Sequence, residues 1–72
     1  MKYYTINNNK KVIYAGNVND GKNDITKYYV LQESGEYREF ENHDSNPDFR
    51  CFEALKTNRL QTFSTLEQAK AN

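Results

Sequence analysis

Cysteine and proline each occur once in these 72 residues, and tryptophan is missing altogether. A single Cys forms no internal disulfide, so packing alone must hold the fold, and a reducing compartment such as the cytoplasm is expected. One Pro and three isolated glycines, at 16, 21 and 35, leave no linker-like stretch, so one domain over 1–72 is expected. No apolar run approaches the roughly 20 residues of a membrane span, and no secretory-type apolar stretch follows Met1. The phosphate-cradling patterns G-x-x-x-x-G-K-S/T and G-x-G-x-x-G are absent, which removes the usual nucleotide-binding loops. Net charge is lacking too: 10 basic residues balance 10 acidic ones.

Leu, Ile, Val and Phe make up 14 of 72 residues, a low share for a folded chain. Six tyrosines supply the missing apolar area, because a Tyr ring packs while its hydroxyl finds a polar partner. The balance of charge is global only. Residues 1–32 hold five lysines against Asp20 and Asp24, leaving +3. Residues 33–48 hold Glu33, Glu36, Glu39, Glu41, Asp44 and Asp48 against Arg38, leaving −5. Residues 49–72 hold Arg50, Lys56, Arg59 and Lys70 against Glu53 and Glu67, leaving +2. An acidic middle between basic ends either neutralises itself within the fold or presents a field to a basic partner.

The first half reads as strands. Lys2–Ile6, Lys11–Val18, Ile25–Glu33 and Glu36–Glu41 are rich in β-branched and aromatic residues. Asn7-Asn8-Asn9, the polar run 19–24 and Ser34-Gly35 punctuate them as turns. The second half changes period. Phe49, Phe52 and Leu55 recur as one face of a short helix over 49–57, with Pro47 near its first turn. Alternating Phe49 and Cys51 fit a strand as well. Arg59–Phe63 suits a short last strand, although Leu60 and Phe63 then point to opposite faces. Ser64 and Glu67 stand at capping-box spacing before a final helix that carries Leu66 and Ala69. The expected architecture is α+β: an antiparallel three- to four-stranded β-meander with one or two short helices packed on one face.

Chemistry of the catalytic kind has little to work with. His43 and Cys51 lie too far apart for a zinc-type pair, and their spacing promises no thiol–imidazole contact. His43 with Asp44 and Asp48 reads as a solvated acidic loop, and Cys51 beside Phe52 as a small core residue. Glu39 and Glu41 crowd one face of a strand with no pocket to raise a pKa. We expect no enzyme, metal or cofactor. A stacking platform for single-stranded nucleic acid has some elements, in Lys2, Lys10, Lys11 and Lys27 among tyrosines, but phosphate binding needs a surplus of cations. Protein binding fits better. The pairs Tyr3-Tyr4 and Tyr28-Tyr29 must each put one ring on either side of a sheet, leaving rings for contact unless the domain dimerises through them.

Arg59–Lys70, a strand running into a capped helix, resembles a tail recurrent in small proteins of phages and mobile elements. The size, leading hairpins and acidic segment are also similar in kind to anti-CRISPR inhibitors. That resemblance covers about a dozen residues and an overall style. It implies a non-enzymatic inhibitor in the host-cell cytoplasm, binding a host protein or nucleoprotein complex rather than nucleic acid or membrane, as monomer or homodimer. Glu33, Glu36, Glu39, Glu41, Asp44 and Asp48 would supply its field. Tyr28 and Tyr37, with Tyr3, Tyr4 and Tyr29, would supply contact area. The alternatives are a sheet-based single-stranded nucleic-acid binder and a homodimeric accessory protein.

Overall fold

A computed structural model describes residues 2–7, 9–16, 25–41, 57 and 59–71, the side chains of residues 9 and 10 excepted. The proposed helix over 49–57 lies outside these residues apart from Thr57, as do His43, Asp44, Pro47, Asp48 and Cys51. The strands are β1 (Tyr3–Ile6), β2 (Asn9–Gly16), β3 (Ile25–Leu31), β4 (Tyr37–Glu41) and β5 (Leu60–Phe63), followed by helix α1 (Leu66–Ala71). They form one antiparallel sheet in the order β4-β3-β2-β1-β5.

The sheet thus has five strands among the described residues, where three or four were expected. β1 through β4 make the anticipated meander. The fifth strand joins the far edge, pairing Tyr3 with Phe63 and Ile6 with Leu60. A meander alone would leave the outer backbone groups of β1 unpaired, and β5 satisfies them. Its Leu60 packs into a core on one face while Phe63 shares the opposite face with Tyr3. A strand with both sides occupied reads poorly as an alternating pattern.

Register sorts the side chains. Cross-strand partners Tyr4, Tyr14, Tyr28 and Phe40 form one aromatic row across four strands. Tyr14 of this row joins Ile6 and Ile25 in the core cluster, with Tyr4, Val12, Tyr28 and Leu60 against it. Ile25 reaches this face through a bulge: Ala15 opposes Lys27 but Gly16 opposes Ile25, leaving Thr26 extra. Gly16 takes φ of 123° there, a conformation other residues adopt only with strain. The Thr26 hydroxyl steadies the bulge by donating to the Ala15 carbonyl at 3.3 Å.

The opposite face carries α1, which contacts β1, β5 and β2. Ala69 is fully buried there, as are Thr5, Ile13 and Ala15 on the strands. Burial therefore reaches both faces of the central strands, not one as expected. The cap of α1 also differs from expectation by one position. Gln68 N–H donates to Thr65 Oγ1 at 3.1 Å, and the Gln68 side-chain oxygen accepts from Ser64 N–H at 3.3 Å. Thr65, not Ser64, is the N-cap, and Gln68 stands where Glu67 was expected, because the first helical bond runs from Ala69 N–H to the Thr65 carbonyl.

Thr5 is an anomaly within this packing. Its buried hydroxyl has no hydrogen-bond partner among the described residues, a state that costs roughly 1–3 kcal/mol. Thr5→Val keeps the shape and removes the hydroxyl. It is expected to raise stability by about 1 kcal/mol, read as a higher urea midpoint at unchanged slope.

Candidate interaction site

The β3–β4 hairpin gathers the described members of the acidic segment. Gly35 N–H donates to the Gln32 carbonyl at 2.9 Å, and Gln32 N–H to the Glu36 carbonyl at 2.7 Å. Gly35 closes the loop with φ of 91°, as a three-residue hairpin loop demands. Glu33 and Glu36 sit exposed at this tip. Glu39 and Glu41 follow on β4, also exposed, on the face that carries α1.

Only part of this charge is neutralised. Lys27 Nζ lies 3.6 Å from Glu39 Oε2, and the Tyr29 hydroxyl donates to Glu39 Oε1 at 3.2 Å. Burial, and then the neighbouring Glu39 carboxylate, push the Tyr29 phenol above its ordinary pKa. Glu33, Glu36 and Glu41 form no ion pair among the described residues. Asp44 and Asp48 lie outside those residues. Arg38, the one cation of the acidic segment, turns to the other face, 5.1 Å over the Phe40 ring.

The tyrosines are less available than the sequence suggests. Tyr28 is half-buried and stacks on Phe40 at 5.3 Å with planes 14° apart. Tyr37 is half-buried with Lys70 Nζ 5.9 Å from its ring centre. Tyr3, Tyr4 and Tyr29 are likewise half-buried, and Tyr14 is buried. Each Tyr pair does straddle the sheet, but cross-strand neighbours take up much of each ring. Tyr28 lies on the face opposite Glu39 and Glu41, so those three do not form one flat surface. Tyr37, Glu39 and Glu41 do share a face. The Arg38–Phe40–Tyr28 arrangement was not foreseen, although strand parity over residues 38 and 40 carries the signal.

Elsewhere, an open depression of about 500 Å³ is lined by Lys2, Thr62, Phe63, Ser64 and Gln68. Its Ser64 hydroxyl is already spent on the Gln68 side-chain oxygen at 2.8 Å. Among the described residues no three His, Cys, Asp or Glu side chains gather to hold a metal ion, and no helix is long and apolar enough to cross a membrane. No family model matches the chain, and no curated protein or solved structure matches it either.

Proposed function

We propose that this chain is a small non-enzymatic protein-binding inhibitor of phage or mobile-element origin. It acts in the host-cell cytoplasm and blocks a host nucleic-acid-handling defence complex by occupying a cationic surface. The observation that carries this reading is the β3–β4 hairpin, where exposed Glu33, Glu36 and Glu41 have no ion-pairing partner among the described residues. An uncompensated anionic projection steers encounter with a cationic surface and repels phosphate. The nucleic-acid alternative draws less support, because a chain of zero net charge has few lysines to spare for phosphate.

Fluorescence anisotropy with a labelled oligolysine peptide and with single- and double-stranded oligonucleotides, each at two salt concentrations, tests the reading. Salt-sensitive binding of the peptide alone is expected. Micromolar oligonucleotide affinity that weakens steeply with salt would replace it with the nucleic-acid reading.

A further inference from the structure

The backbone of β4 adds something that its charges do not. Gln32 and Glu36 are joined by the short N–H···O bond at 2.7 Å, so they form a hydrogen-bonded pair. Such pairs alternate along an antiparallel register. Val30–Arg38 and Tyr28–Phe40 are then the pairs bonded to each other, whereas Tyr29–Glu39 and Lys27–Glu41 face away. The N–H and C=O groups of Glu39 and Glu41 therefore point outward, and β4 is the terminal strand of the sheet among the described residues. Their side chains both lie on the face that carries α1.

Charge selects the occupant of this edge. A second copy of β4 laid antiparallel would crowd the carboxylates of both chains on one face, and like charges directly opposite destabilise a strand pair. At the other edge the same alternation turns Leu60 and Thr62 outward, and neither carries charge to select a partner. From this edge geometry we infer that β4 accepts, as a sixth strand, an extended segment of the partner protein with lysine or arginine at every second residue. The basic side chains lie beside Glu39 and Glu41. The intervening residues lie beside Arg38 and Phe40 on the opposite face. Main-chain bonds supply affinity and the alternate side chains supply selection. The exposed Lys27–Glu39 pair contributes little, so an incoming cation competes with it at small cost. This inference rests on the protein-binding reading and adds the mode of contact.

The test uses the whole chain, isotopically labelled, and an acetylated heptapeptide alternating lysine and threonine. A second version is N-methylated on alternate backbone amides, keeping its charge but losing its donors. Titration followed by amide hydrogen exchange is expected to show slowed exchange at Glu39 and Glu41 with the first peptide. At least a tenfold weaker response is expected with the second. Glu41→Pro removes an outward donor without touching the bonds to β3 and is expected to weaken binding at least tenfold. Glu41→Gln is expected to weaken it only about threefold. Equal binding of both peptides, with Pro and Gln variants alike, would overturn strand addition and leave charge-driven recognition standing. Unchanged exchange at Glu39 and Glu41 in the unsubstituted protein overturns it even if the Pro variant fails to fold. Loss of oligolysine binding as well would remove the underlying reading.

Discussion

Tyr14→Ala is expected to cost about 3–5 kcal/mol, the usual range for deleting a large buried ring. Among the described residues Tyr14 is the largest fully buried side chain, at 1% exposure, and it stands mid-row between Tyr4 and Tyr28. Its loss strips a neighbour from both, and a strand ladder cannot collapse sideways to close the gap without breaking register. A domain of 72 residues holds stability of order 4–11 kcal/mol. Removing about half of it should lower the urea midpoint severely or abolish the cooperative transition at room temperature. A loss below about 1 kcal/mol would mean that the row is not the centre of the core. Phe40→Ala offers the contrast. Its ring is half-buried on the edge strand, so a smaller cost is expected.

Reversing Glu33, Glu36 and Glu41 together to Lys should leave the fold nearly untouched and damage recognition instead. Each reversal adds two positive charges, so net charge moves from 0 to +6. All three residues are exposed and make no ion pair among the described residues, so stability should change by no more than about 0.5 kcal/mol each. Steering scales with the summed field, and the association rate with an oligolysine probe at low salt is expected to fall by at least about tenfold. The gap should narrow as salt rises. Glu39 is left out because Lys27 and Tyr29 already occupy its two oxygens, and its loss would confound steering with hairpin stability. An unchanged association rate would remove the acidic hairpin from the mechanism.

Local chemistry wrote most of the meander into the sequence. Ser34-Gly35 marks the β3–β4 loop because only a residue free to take positive φ closes it, and the Tyr-Tyr pairs place one ring on each side of a sheet, although they did not announce that both faces are covered. The tertiary relations were not legible. That Arg59–Phe63 would return to β1 is a long-range choice no local period encodes. The bulge at Thr26 moves Ile25 to the other face, which simple alternation from Lys27 assigns wrongly. The capping box was off by one because Ser64 and Thr65 both qualify as caps, and only the helix's first bond discriminates between them. At the candidate site, exposure of the four glutamates was readable from their polarity. The capture of Glu39 by Lys27 and Tyr29 needed the register, because its partners are ten and twelve residues away in the chain.

The pairing of β1 with β5 has a consequence for biosynthesis. Tyr3 leaves the ribosome 60 residues before its neighbour Phe63. Until then the outer flank of the first strand lacks β5, and the described strands at hand are those of the meander. Maturation therefore waits for translation to pass β5, and this late closure belongs with the slower, non-local folding steps.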